Sequence, residues 1–181
     1  MPTVLLVRHG RTPANASGLL AGRADGVALD AVGRDQAARA AERVAGVPLA
    51  RVVTSPLERC RQTARAVLDH QADDPESLTE HGITECDYGQ WQGRALKDLA
   101  QEPLWSVVQA QPSAAVFPGG ESLAAMQARG VEAVRRHDAE VAARHGADAV
   151  RAAVSHGDAI KSVLADALGV PLDLFQRIVV G

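Results

Sequence analysis

The stretch VLLVRHGRTPAN, residues 4–15, starts as a buried strand and runs straight into an arginine and a histidine side by side. Residues 3–7 are short, apolar and partly β-branched, bounded by Pro2 and Gly10, which is the pattern of a strand covered on both faces. Strands of that kind belong to sheets with helices packed on each side. In such sheets the ligand crevice lies beyond the carboxyl ends of the strands. Arg8 and His9 therefore stand where a site would form, and the remaining segments decide what stands around them.

Working outward, residues 12–30 read as a loop rich in Gly, Ala, Asn and Asp, and Ala31–Val44 reads as a helix stopped by Gly46 and Pro48. Residues 51–54 form a second short strand. Ser55, Pro56 and Glu58 then spell a capping box with proline in the first turn, which predicts a helix from there to about His70. Residues 78–85 are expected as a strand or extended segment. Residues 93–101 and 103–111 are expected as short helices on an excursion from the sheet that spans about 93–117. Residues 121–145 form a long helix, 149–155 a strand, 158–168 a helix, and 177–180 the start of another strand. Strands alternating with helices predict one α/β domain over 1–181, a three-layer α/β/α sandwich with a mainly parallel central sheet. His9, Ser55 and His156 each follow a strand directly, so the sheet would deliver them, with Arg59 one turn further on, to a single crevice.

Composition narrows the class. The chain has 181 residues, is 46% hydrophobic and 23% charged, and carries a formal net charge of −3. That is a globular balance without the basic excess of a nucleic-acid binder. Its longest apolar runs are a few residues, so no membrane span and no export signal are expected, and the expected location is the cytoplasm. Only Lys97 and Lys161 are lysines; the other basic side chains are arginines, which fits the codon usage of a GC-rich bacterial genome. Cys60 and Cys86 lack metal-ligand spacing and read as packing residues, with a redox brake on the neighbouring Arg59 and Glu85 as the alternative. Monomer and homodimer are both compatible with these features.

Arg8, His9, Arg59 and His156 together suit phosphoryl chemistry. An imidazole with one free ring nitrogen is a nucleophile towards phosphorus, and arginines clamp the charge that spreads over the phosphoryl oxygens. Asn15 would add an amide donor, and helix starts near Ser55 and Gly157 would add favourable dipole ends. The departing alkoxide needs a proton. Glu85, in TECDYGQWQG, is the candidate acid, with crowding expected to raise its pKa. No metal site is needed, and no carboxylate–histidine cluster suggests one.

At this point the chain resembles the histidine phosphatase superfamily, also called phosphoglycerate mutase-like. VRHGRTPAN is similar to its nucleophile signature, VVTSPLERCRQTA to its second block, ITECDYGQWQG to its acid block, and PGGES and AVSHGDAIKSVL to its later blocks. The resemblance spans residues 3 to about 175. It implies attack by His9 on phosphorus, protonation of the leaving alcohol by Glu85, and hydrolysis of the phosphohistidine by water. Arg8, Asn15, Arg59 and His156 would hold the phosphoryl oxygens, with Thr12 and Gly157 contributing hydroxyl and backbone contacts. Two departures stand out. Asp30 replaces the usual threonine before the helix at Ala31, which reads as a capping swap, and the chain ends where relatives continue into another strand.

The leading expectation is a phosphatase acting on a small phosphorylated metabolite without a cofactor. A phosphoglycerate mutase, which would use 2,3-bisphosphoglycerate, is the alternative, and an inactive phosphate-binding module is the third reading. The excursion lacks the paired arginines of the mutases, since Arg135 and Arg136 sit inside the long helix and point to different faces. Arg11, Arg23 and Lys97 are candidates to meet an anionic leaving group. Tyr88, Trp91 and Trp105 are candidates for an apolar wall.

Overall fold

A computed structural model describes residues 1–181. Four strands, β1 (Thr3–Arg8), β2 (Leu49–Thr54), β3 (Glu76–Thr79) and β4 (Val150–Ser155), form one parallel sheet in the order β1-β4-β2-β3. Seven helices accompany them: α1 (Pro13–Ala16), α2 (Ala31–Val44), α3 (Glu58–Asp69), α4 (Leu96–Leu99), α5 (Pro103–Ala110), α6 (Leu123–His145) and α7 (Gly157–Ala167). The two-residue period of the strands divides the core between two layers. Val52, Ala152 and Val154 pack with Ala41, Cys60, Ala64 and Val67 of α2 and α3. Val53 and Ala153 face the other way, onto Ala133, Val134 and Val163 of α6 and α7. The result is the predicted three-layer α/β/α architecture.

The five Phe, Trp and Tyr residues take no part in either layer. Tyr88, Trp91, Phe117 and Phe175 are buried in a third cluster beneath α4 and α5, and Trp105 packs against it. Phe117 meets both Tyr88 and Trp91 edge to face. The expected aromatic wall is thus mainly interior, holding the excursion against the sheet domain. Big rings are needed there because short helices alone bury little area.

Local structure departs from the sequence reading at five places. The loop expected at 12–30 opens with the one-turn helix α1, Pro13–Ala16, capped by Thr12. The strand expected at 78–85 is Glu76–Thr79 instead. Glu80 then caps a 3-10 turn at His81–Ile83, its carboxylate accepting from Gly82 N at 2.6 Å. The helix after Ser55 starts two residues late, with Leu57 at its N-cap and no side-chain cap, for a reason given by the site below. The segment 93–101 holds only Leu96–Leu99, because Gly93 turns the chain at φ +79°. Residues 177–180 form no strand. A 3-10 stretch, Leu172–Arg177, leads instead to Val180, whose carbonyl accepts from Arg8 Nη1 at 2.9 Å. Asp30 does cap α2, accepting from Gly33 N at 2.7 Å. No helix is long and apolar enough to cross a membrane.

Candidate active site

Strands β1, β2 and β4 end at one level, Arg8 lying opposite Ser155 and Thr54 opposite Val154. His9, Ser55 and His156 therefore leave the sheet side by side. Bonds from His9 N to Ser155 O and from Ser55 N to Val154 O, both 3.0 Å, carry the ladder one step past the strands.

His9 Nδ1 lies 2.7 Å from the carbonyl oxygen of Gly10. A carbonyl only accepts, so Nδ1 holds the proton and Nε2 the lone pair, an assignment made from the hydrogen-bond network. Arg59 Nε donates to that lone pair at 3.2 Å. Burial lowers the imidazole to about 4, opposed by the Gly10 carbonyl and helped by the charges of Arg59 and Arg8. At neutral pH the ring is therefore uncharged, with its nucleophilic nitrogen facing a guanidinium.

Arg59 is only 2% exposed. Its Nη2 donates to the Gly22 carbonyl at 2.7 Å and meets His156 Nδ1 at 3.2 Å, while Nη1 is buried without any partner. The two other buried arginines each have carboxylates: Arg51 pairs with Glu76 at 2.8 Å and Glu140 at 2.7 Å, and Arg151 with Asp138 at 2.7 Å. Arg59 has none. A buried cation without a counter-charge costs several kcal/mol, so its placement makes sense for an anion that arrives from outside.

His156 is the N-cap residue of α7 and is fully buried. Because Arg59 can only donate, His156 Nδ1 accepts from it, and Nε2–H donates to Ser55 Oγ at 2.7 Å. This bond explains the missing capping box: the serine hydroxyl is turned towards the histidine and reaches Leu57 N only at 3.4 Å. Burial first, then the charges of Arg59 and His9, hold His156 well below its ordinary value. The two imidazoles meet edge to face with centroids 5.2 Å apart.

Glu85 comes from the segment after the 3-10 turn, its Oε1 accepting from Cys86 N at 3.0 Å. Burial, then the nearby Asp158, raise it to about 7 against the Cys86 and Ala159 amides and the charge of Arg59. Such a carboxyl can both give and take a proton near neutrality. Arg8 lies over the first turn of α7, where a Cβ on Gly157 would sit 3.6 Å from Arg8 Nε. Thr12 and Asn15 form a capping box on α1, Asn15 Oδ1 accepting from Thr12 N at 3.1 Å and from Thr12 Oγ1 at 3.0 Å. The Thr12 hydroxyl is used in that cap, which leaves the Asn15 amide nitrogen as the donor this loop offers. Arg8, His9 and Asn15 line a cavity of about 390 Å³, whereas Arg59, Glu85 and His156 are buried and do not line it. No cluster of three His, Cys, Asp or Glu side chains is placed to share a metal ion.

Arg23 and Arg11, candidates to meet an anionic leaving group, are engaged in ion pairs. Arg23 pairs with Glu121 at 2.8 Å and Arg11 with Asp30 at 2.8 Å. Both cysteines are buried free thiols, and burial pushes Cys60 up to about 12 and Cys86 higher still, as suits packing residues.

The family model of the histidine phosphatase superfamily, branch 1, matches residues 4–181. The chain belongs to this superfamily. "Probable phosphoglycerate mutase GpmB" of Yersinia enterocolitica is 32% identical to this histidine phosphatase family member over 98% of the chain and 80% of the relative. Phosphoserine phosphatase 1 of Hydrogenobacter thermophilus is 31% identical over 97% of the chain and 80% of the relative. The solved α-ribazole phosphatase from Shigella flexneri superposes with a TM-score of 0.82 at 29% identity, covering 98% of this chain and 85% of that one. Within this histidine phosphatase fold, His9, Arg59 and His156 are in direct contact, with Glu85, Arg8 and Gly157 at their edges. Sequence reasoning missed Gly22 as the anchor of Arg59, Asp158 as the charge beside Glu85, and Glu121 and Arg129 behind the acid segment. Glu121 stood in the quoted PGGES block, but nothing in its spacing showed what it would hold.

Proposed function

We propose that the chain hydrolyses phosphomonoesters of small metabolites through a covalent phosphohistidine at His9. One observation carries this reading: buried Arg59, which has no carboxylate partner and whose Nη1 is unpartnered, donates through Nε to Nε2 of His9, so an unneutralised cation stands against the nucleophilic nitrogen. The phosphatase names among the relatives support it. The steps balance as follows. His9 Nε2 forms a bond to phosphorus as the ester P–O bond breaks, and the leaving oxygen takes the proton of Glu85. The Glu85 carboxylate then removes a proton from water as the water oxygen attacks phosphorus, the N–P bond returns its electron pair to Nε2, and inorganic phosphate departs. Arg8, Asn15, Arg59 and the first amides of α7 at Gly157 hold the equatorial oxygens where charge builds up, and His156, with both ring nitrogens engaged by Ser55 and Arg59, holds the Arg59 guanidinium in place for them. Every group in this sequence belongs to the protein or the substrate, so activity is proposed to need no metal or cofactor, in the cytoplasm.

The mutase reading has one specific support, the name of the 32%-identical relative. Against it, Arg94 on the excursion is paired with Glu102 at 2.6 Å. Arg135 and Arg136 diverge to Asp166 and Glu80. Lys97 is then the one basic side chain of the excursion left to bind a substrate carboxylate. Incubation with an aryl phosphate in the presence of chelator decides between the readings. Hydrolysis that disappears in His9→Ala supports the phosphatase. No hydrolysis, with 2,3-bisphosphoglycerate-dependent interconversion of phosphoglycerates, would establish the mutase. Binding of phosphate without either activity would leave a binding module.

A further inference from the structure

The acid segment 80–87 lacks regular structure over most of its length, yet three of its backbone carbonyls accept from one side chain. Arg129, on α6, donates from Nη1 to the carbonyls of Gly82 at 2.8 Å and Thr84 at 2.7 Å. From Nη2 it donates to the Glu85 carbonyl at 3.1 Å and Glu121 Oε1 at 2.6 Å, and from Nε to Glu121 Oε2 at 3.1 Å. All five donors of the guanidinium are used, three of them on carbonyls of the loop that carries the acid. Arg23 adds a second donor to the Glu85 carbonyl at 2.9 Å and a bond to Glu121 at 2.8 Å, and Glu121 also accepts from Asp87 N at 2.9 Å. The loop lies flat on α6, where a Cβ on Gly82 would come within 2.6 Å of the Ala133 methyl.

We infer that Arg129, braced by Glu121, is the positioning residue for the general acid: it fixes the peptide planes on either side of Glu85 and so aims the carboxyl at the leaving oxygen. The inference rests on the proposed phosphatase reading. Arg129 touches only backbone and Glu121, so its influence runs through the place of Glu85. Its charge is offset by the Glu121 carboxylate, and the charges that shift Glu85 belong to Asp158 and Arg59. Lysine cannot substitute, since a single ammonium has three donors at one point and cannot span three carbonyls and a carboxylate.

The test is Arg129→Lys assayed on two esters. An aryl phosphate with a good leaving group needs little protonation as it departs, whereas an alkyl phosphate needs a full proton. A mispositioned acid lowers kcat/KM for the alkyl ester by about 100-fold and leaves the first-turnover burst of phenol from the aryl ester within about threefold of the parent. In a Glu85→Gln background, Arg129→Lys then adds no further loss. Equal losses on both esters in a variant that melts like the parent, or multiplying losses in the double variant, would overturn the inference. If Arg129→Lys does not fold, Glu121→Gln, which keeps Oε1 and replaces Oε2 by an amide nitrogen that cannot accept from Arg129 Nε, must show the same discrimination between esters. Titration of the Glu85 carboxyl by carbon NMR reads the position without turnover. It moves from about 7 towards the ordinary carboxylate range in Arg129→Lys as the group reaches water, and an unchanged titration overturns the inference. A wild-type protein that releases no phenol would strike the proposed function, while the NMR titration still judges Arg129.

Discussion

The contrast among three buried arginines defines the site at the scale of single residues. Arg51 and Arg151 enter the sheet with carboxylates already in place, and Arg59 enters with two imidazoles and a carbonyl. Only the last arrangement leaves positive charge for a ligand. The two titrating groups beside it set the pH range. His9 must be neutral, a condition lost as pH falls through about 4, and Glu85 must be protonated, a condition lost as pH rises through about 7. The profile of kcat/KM for an alkyl phosphate is therefore expected to be a bell with limbs near those values, and a flat alkaline side beyond neutrality would remove Glu85 from the acid role. The same shift makes a stability prediction. Glu85 holds its proton more tightly folded than unfolded, so the stabilisation from that proton is complete below the unfolded value near 4.5 and is lost as pH rises through about 7. Glu85→Gln imitates the protonated carboxyl at every pH. Denaturant unfolding should find it equal to the parent near pH 4 and more stable by about 1–3 kcal/mol near pH 8, a catalytic group held at the expense of the fold. Equal stability at both pH values would show that Glu85 is not a strained carboxyl.

Elements are joined at the site by close backbone approach. Gly10, after β1, and Gly33, in the first turn of α2, sit where added methyl groups would strike the carbonyls of Gly33 and Arg11 respectively. Neither partner is a flexible side chain, so the loop carrying Arg11, Thr12 and Asn15 has no way to yield without moving. Gly33→Ala should lower stability by about 1–3 kcal/mol and raise KM for the phosphate ester as Asn15 shifts, measured by thermal melts and steady-state kinetics. A neutral Gly33→Ala would contradict this packing. Elements were also the scale at which the sequence was only partly legible. Strand patterning found β1, β2 and β4, and with them the common level of His9, Ser55 and His156. The capping signal at Ser55 misled because its hydroxyl had a stronger tertiary partner in His156. The strand at 78–85 was misplaced because Glu80 closes a turn that periodicity alone does not reveal. Arg129 was invisible, since its five acceptors lie on two segments, residues 82–85 and Glu121, that meet it only in the folded chain.

The whole molecule divides its labour between its two apolar regions. The sheet layers are built of Ala and Val, thin enough to bring helices close to the strand ends, and every large ring is reserved for the excursion behind Glu85. That arrangement places the nucleophile at the ends of hydrogen-bonded parallel strands and the acid on a loop fastened to α6. It agrees with membership of the histidine phosphatase superfamily across residues 4–181. The chemistry proposed for both parts is a transient bond between His9 Nε2 and phosphorus. Rapid acid-free quenching during turnover of an aryl phosphate, followed by peptide mass spectrometry, tests this most directly. A phosphoryl group on the His9 peptide, formed as fast as phenol is released and absent in His9→Ala, is the predicted result. Turnover without that adduct, or undiminished turnover by His9→Ala, would contradict the account.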